Sequence, residues 1–320
     1  MPDLPETETA TVRAIWSGWE KEQDRTHRTY LGASVLGDPC ERKLWYSFRW
    51  AHDPETFDGR KLRLFDTGHS QEARMVADLR RAGMDVLDVD PRTEQQFSCT
   101  FAGGHGGGHT DGEVYGVPEA PKTDHLLECK THNHKSFTAL KRLGVQGHKP
   151  MHYDQMQVYM HLRGYTRGLY LAVNKNDDEL YSERIEHDPV HAARLMVKAE
   201  RIVSAETAPA RLHEDPSHKM AWQCGFCVAR PLCHERQFAE RNCRTCLFST
   251  PEQDGEGTWT CSHPKHSGDL SKEDQIKGCA SHLFIPTLVP GEQIDADEVA
   301  ETVTYTMPDG STWVDGGANG

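Results

Sequence analysis

Apolar positions along this chain recur at two spacings, and the changes from one to the other mark out its elements. Residues 11–30 read as a polar helix that carries Trp16 and Trp19. Asp38-Pro39 has the chemistry of an N-cap and first turn, opening a helix that bears Cys40, Leu44, Trp45 and Phe48. Helical spacing returns over 66–81, with Ala73, Val76, Ala77 and Leu79 among the apolar positions. Strand-like runs follow at 84–89, 95–101, 109–117 and 125–131. Helical patterns over 136–143 and 151–163, strands at 167–174 and 179–186, and a helix over 189–204 complete the series. That order predicts an α/β fold, a mixed sheet flanked by helices. The Gly-rich stretch 103–108 predicts a flexible hairpin or lid tip. It is no phosphate loop, because no Lys-Ser/Thr follows and no helix opens there.

From about residue 207 the composition shifts to Pro, His and Cys. Near the end, alternating runs at 303–306 and 311–314 flank Pro308-Asp309-Gly310, which predicts a β-hairpin. Four units are expected: a helical extension over 1–33, the α/β domain over 34–235, a Cys-rich module over 236–290 and an acidic hairpin tail over 291–320.

Composition narrows the class. The chain has 320 residues, 36% of them hydrophobic, and a mean hydropathy of -0.71, polar but within the globular range. No apolar run approaches the roughly 18–20 residues of a membrane span. Residues 1–10 lack the basic-then-apolar order of an export leader, so a cytoplasmic protein is expected. In a reducing compartment its ten cysteines favour metal ligation over disulfides. A net charge of -13 argues against a protein that coats DNA nonspecifically by neutralising phosphates. The charge is uneven, however. Residues 291–320 hold seven acids and no Lys or Arg, whereas 125–150 holds Lys130, Lys135, Lys141, Arg142 and Lys149 against Glu128 alone.

The segment 125–130 is a half-buried strand with an E-x-K inside it. Period-two alternation sets Glu128 and Lys130 on one face and Cys129 on the other. A carboxylate beside an ammonium suits metal-assisted phosphodiester hydrolysis: one holds the cation, the other orients the attacking water and counters developing charge. On its own the pattern is weak, since most such pairs are surface salt bridges. The rest of a set appears in order. Gly108-His109-Thr110-Asp111 places a hard oxygen ligand on the preceding strand. Gly68-His69-Ser70-Gln71-Glu72 places Glu72 one helical turn after a glycine, and Gln155 and Tyr159 sit four apart on one helix face.

Glu72, the G-x-x-D ending at Asp111, the E-x-K of Glu128 and Lys130, and the Q-x-x-x-Y of Gln155 and Tyr159 resemble the ordered motifs of RecB-like nucleases, members of the PD-(D/E)XK superfamily. The resemblance covers roughly residues 34–235 and implies a restriction-endonuclease-like core. It implies that Glu72, Asp111 and Glu128 bind Mg2+ or Mn2+, with the Cys129 main-chain carbonyl as a further ligand and Lys130 as the catalytic lysine. Relatives with a cysteine cluster often carry His at the first position. Here Glu72 stands there with His69 three residues earlier, which leaves both as candidates.

Cys40 with Cys224, Cys227 and Cys233, spaced C-x2-C-x5-C, resembles the iron–sulfur nucleases of CRISPR adaptation and of helicase–nuclease repair complexes. By that resemblance the four thiolates hold a 4Fe-4S cluster, which requires four such ligands. Cys243, Cys246, Cys261 and Cys279 are then left as a second tetrathiolate set, most simply for structural Zn2+. A rival pairing reads Cys224-x2-Cys227 and Cys243-x2-Cys246 as one zinc ribbon, which strands the other four. His263, His266 or His282 offer substitute ligands. Cys99 and Cys129 read as small core residues.

Other chemistries have less support. His132-Asn133-His134 lacks a third ligand at a defined spacing and reads as exposed or as lining a DNA approach. Ser/His/Asp catalysis has no G-x-S-x-G elbow. The aromatic and basic stretch Trp45, Tyr46, Phe48, Arg49 and Trp50 has the makings of a base-stacking surface, but reads better as the core side of a helix. The expected function is therefore a metal-dependent DNA exonuclease of a phage or bacterial kind. It would act on DNA ends or single strands, alongside a recombination, helicase or CRISPR-adaptation partner. The alternative is a catalytically inactive nucleic-acid-binding zinc scaffold.

Overall fold

Side-chain caps set where several of the helices begin. The computed structural model describes residues 9–317. Residues 1–8, on which the reading against an export leader mostly rests, and 318–320 at the end of the acidic tail lie outside them. Helix α1 (Ala10–Glu22) is followed by a short strand β1 (Leu31–Gly32) and helix α2 (Glu41–Phe48). Cys40 is the N-cap of α2, two positions later than the Asp38-Pro39 expectation. Asp38 instead accepts from the Cys40 N–H at 2.9 Å and pairs with Lys43 at 2.7 Å. The long helix α3 (Gly59–Arg81) starts seven residues earlier than its apolar spacing predicts, because the Asp58 side chain accepts from the Lys61 N–H at 2.7 Å. Gly59 lets α1 cross closely: a Cβ there would stand 2.3 Å from the Trp16 carbonyl oxygen.

Strands β2 (Asp85–Leu87), β3 (Ser98–Phe101), β4 (Gly106–His109), β5 (Gly112–Tyr115) and β6 (His125–His132) come next. Helices α4 (His134–His148) and α5 (Pro150–Arg163) carry the chain to β7 (Arg167–Asn174), then β8 (Leu180–Glu186) and α6 (Pro189–Ser204). The main sheet has the order β2-β5-β6-β7-β8. Its central pair β6–β7 is parallel and the others are antiparallel. The central strands are buried on both faces, which is why they read as nearly continuous apolar runs. One face carries Leu127, Cys129, Leu169, Leu171 and Val173 against Met75, Val76 and Leu79 of α3. The opposite face, through Leu126, Tyr170 and Ala172, joins a larger core with α2, α4, α5 and α6. The result is a mixed sheet flanked by helices.

Two expectations change here. The run 109–117 is not one strand. The chain switches sheets at Thr110 and Asp111, leaving β4 in a small sheet β1-β4-β3 and β5 in the main one. Nor is the glycine stretch a free tip. β4 is the middle strand of that small sheet; a Cβ on Gly106 would meet the Phe101 ring at 2.3 Å, and one on Gly108 the Tyr159 hydroxyl at 2.5 Å. Close packing, not mobility, demands the glycines.

Two short helices, α7 (Trp222–Gly225) and α8 (Arg230–His234), lead into strands β9 (Ser249–Pro251), β10 (Trp259–Cys261) and β11 (Gly268–Asp269), which form a small antiparallel sheet, and helix α9 (Lys272–Lys277). The tail holds the hairpin read at 303–306 and 311–314, as β13 (Thr302–Thr306) and β14 (Thr312–Gly316), with an added edge strand β12 (Glu292–Asp297). Trp259, Phe284 and Tyr305 belong to the same continuous core as Phe48 and Tyr170.

Candidate active site

The break between β4 and β5 places Asp111 beside β6, where its Oδ2 accepts the Cys129 N–H at 2.7 Å. Alternation along β6 turns Glu128 and Lys130 away from Cys129, toward α5. Lys130 Nζ ion-pairs with Glu128 Oε1 and stands 4.0 Å from Asp111 Oδ2. Glu72 arrives from α3. Glu72, Asp111, Cys129, Lys130, Gln155 and Tyr159 border one cleft of about 1300 Å³. Glu128 is 0% exposed and lies behind Lys130, which is 26% exposed; its Oε2 has no hydrogen-bond partner.

Three carboxyls share the cleft with the Lys130 ammonium, and Glu72, Glu128 and Lys130 each titrate away from their ordinary values. Burial, then the neighbouring Asp111, pushes Glu72 up to about 7. Burial pushes Glu128 up to about 8, against the opposing pull of Lys130. Burial alone would lower Lys130, but Glu128 and Asp111 outweigh it and hold its ammonium above the ordinary range. Gln155 Nε2 donates to the Tyr159 hydroxyl at 3.4 Å, so the Q-x-x-x-Y pair is joined within the helix. His69 borders the same cleft as Glu72, and also a second hollow with Trp19, Phe57 and Asp66.

Five residues of the cleft had no signal in local spacing: Arg28, Tyr30, Asp88, His152 and Lys175. Arg28 and Tyr30 share one segment, Asp88, His152 and Lys175 come from three others, and only the fold gathers them. Of the five basic residues in 125–150, Lys130 alone borders the cleft. His132 is not exposed: its Nε2 is 2.9 Å from the Tyr170 hydroxyl, which also meets His152 Nδ1 at 2.9 Å. Asn133 caps α4 through its side chain. The stretch Trp45–Trp50 is core, as expected.

The cysteines divide into two groups. Cys40, Cys224, Cys227 and Cys233 border one cavity of about 20 Å³, with Arg42 and Lys43 beside them. Cys243, Cys246, Cys261 and Cys279 border another of about 10 Å³, together with His263 and His282. The two C-x2-C pairs thus lie in different cavities, which is not the arrangement of a single ribbon. All ten cysteines are free thiols. In the first group burial raises Cys224, followed by Cys40 and Cys233. In the second, burial and then Cys246, Cys279 and Cys261 push Cys243 up to about 12. Among the described residues, no three His, Cys, Asp or Glu side chains are placed so that they would hold a metal ion without moving. No helix among them is long and apolar enough to cross a membrane.

No protein-family model and no curated protein matches the chain. Solved structures similar in shape include an alkaline exonuclease (LHK-Exo) from Laribacter hongkongensis, with a TM-score of 0.40 and 18% identity over 58% of this chain and 90% of that one. The same enzyme in complex with dAMP aligns with a TM-score of 0.38 and 16% identity over 59% of this chain and 90% of that one. SSO0001 aligns with a TM-score of 0.40 and 14% identity over 71% of this chain and 97% of that one.

Proposed function

We propose that the protein is a divalent-metal-dependent DNA nuclease of the PD-(D/E)XK type that removes nucleotides from DNA ends or single strands. One observation carries the reading: a single cleft collects Glu72, Asp111 and Lys130, and behind them Glu128 keeps a buried carboxylate oxygen without a partner. A buried carboxyl oxygen without a partner, beside two further carboxyls, fits a cation, whose charge would favour the ionised form that burial disfavours. Glu72, Asp111, Glu128 and the Cys129 carbonyl would hold Mg2+ or Mn2+, which when bound polarises a phosphate oxygen and makes water a better nucleophile.

The chain's own groups do the remaining work. The Cys129 N–H fixes the Asp111 carboxylate, and Glu128 fixes Lys130. Lys130 then presents a held ammonium to the cleft, where it orients the attacking water and offsets charge growing on the phosphate. Gln155 and Tyr159, joined to each other on α5, border the same cleft. Arg28 and Lys175 supply positive charge for backbone phosphates farther along the strand.

The donor set of Cys40, Cys224, Cys227 and Cys233 fits a 4Fe-4S cluster chemically, with Arg42 and Lys43 as counter-charges. A cavity of about 20 Å³ would have to widen to seat it. The second quartet is read as a Zn2+ site.

The test is digestion of end-labelled DNA by anaerobically purified protein, with Mg2+ or Mn2+ and with chelator. Lys130→Ala is expected to lose activity by about 10²–10⁴-fold, with DNA binding kept and the fold verified by circular dichroism. Normal cleavage by that variant overturns the site. Wild-type protein that binds DNA and cuts it with neither metal supports the inactive scaffold instead.

A further inference from the structure

Arg244 sits inside the second C-x2-C turn, between Cys243 and Cys246, yet it is 2% exposed. Its guanidinium reaches into the α/β core. Nη1 donates to the Phe48 carbonyl at 3.0 Å, Nη2 to the Thr29 carbonyl at 3.0 Å, and Nε to Gln275 Oε1 at 2.8 Å. Its flat face lies 3.7 Å from the Trp50 ring centroid. Arg49, 3% exposed, is its neighbour. It donates to the carbonyls of Arg244 at 3.2 Å and Ser249 at 3.3 Å, and its Nε has no partner. Neither guanidinium makes an ion pair with a carboxylate among the described residues. Two buried cations without a direct carboxylate partner are costly, and for Arg49 the attraction of Glu206 and Cys246 does not outweigh burial.

Cys246 is close enough to act on Arg49 electrostatically, and Ser249, whose carbonyl Arg49 binds, borders the cavity of about 10 Å³ shared by the four thiols. Four thiolates on one divalent zinc form a doubly negative centre. That charge opposes the one on Arg49. His282, 1% exposed, borders the same cavity with its Nδ1 unpartnered, and a thiolate sulfur accepts such an N–H.

The quartet also lies on a path to the cleft. Cys261 ends β10, paired with Ser249 at the start of β9. The loop that joins these strands grips the turn before the glycine strand: Gly255 and Gly257 N–H groups donate to the Gly103 carbonyl at 3.2 and 3.1 Å, and His105 Nε2 meets the Glu252 carbonyl at 2.8 Å. Phe48, His105 and Trp259 pack ring to ring under that grip. Beyond the turn, Gly107 and Gly108 of β4 form part of the cleft wall, with Gly108 against Tyr159.

We infer that Zn2+ held by Cys243, Cys246, Cys261 and Cys279 offsets the charge of the buried Arg49 and, through the β9–β10 hairpin, holds the glycine strand of the cleft in place, with Arg244 rooting the turn between two of the ligands in the core. This rests on the zinc reading of the quartet and deepens the nuclease reading. Its experiment needs no cleavage, so the two can fail separately.

Zinc and iron are counted in the full-length protein, and amide hydrogen exchange over 101–109 is followed before and after zinc is withdrawn by chelator with a thiol reagent. Expected are a single tightly bound zinc and exchange over 101–109 at least about tenfold faster after its removal, while β6 and β7 stay protected. Cys261→Ser is expected to lose the zinc and keep the iron; Arg244→Met is expected to weaken zinc binding by about 10–100-fold. Zinc-free native protein, or zinc removal that leaves 101–109 unchanged, overturns the inference. Both of those measurements use wild-type protein, so a variant that fails to fold does not block them.

Discussion

At Glu128 two forces oppose each other: burial disfavours its charge and Lys130 favours it. Burial prevails and the carboxyl titrates at about 8, while Glu72 titrates at about 7. A carboxyl whose folded pKa lies above its unfolded value stabilises the fold at low pH and loses that contribution as the pH rises. The loss therefore begins above the ordinary Glu value of 4.5 and is complete once the pH passes about 8. In metal-free protein, urea stability is expected to fall across that window, and Glu72→Gln to shrink the fall. Stability that rises with pH over this interval, or an unchanged slope in the variant, contradicts the clustering of carboxyls. The motif residues were legible because each sits in a short pattern of its own. Asp88, Arg28 and Lys175 were not, because each is an ordinary charged residue until the fold places it at the cleft.

Elements were readable where local chemistry is self-contained. β7 and α6 match their expected limits, because a nearly continuous apolar run and an Asp-Pro start are written within a few residues. α4 was read too short, at 136–143. It continues through Gly144, whose φ of 69° and ψ of 176° lie outside the helical region and bend it. Glu183 receives the next N–H, from Val145, at 2.8 Å. A side chain at that backbone conformation is strained, and a Cβ would sit 3.3 Å from the Glu183 carboxylate. Gly144→Ala is accordingly expected to cost about 1–3 kcal/mol in chemical denaturation; an unchanged midpoint would show that the bend is not required. The strand expected over 109–117 failed for a related reason. Alternation runs straight across Thr110, and nothing local announces that the backbone leaves one sheet for another.

Across the whole molecule, the two cysteine groups join segments far apart in the chain, with Cys40 brought beside residues 224–233. Closing so long a loop restricts the unfolded chain. Anaerobically purified protein is expected to be brown, with iron lost and thermal stability lowered in Cys40→Ser while zinc is retained. Colourless protein that keeps all its metal in that variant would refute the split iron–sulfur reading.

By itself the sequence determined the order of helices and strands, the face on which Glu128 and Lys130 stand, and which residue types carry chemistry, because periodicity and capping act over a few residues. Tertiary structure alone decided that Asp111 meets β6, that the glycine strand is clamped and that Arg244 is buried against Phe48, Trp50 and Thr29. Those are contacts between distant segments, and they depend on how sheet and helices pack, which no local pattern encodes.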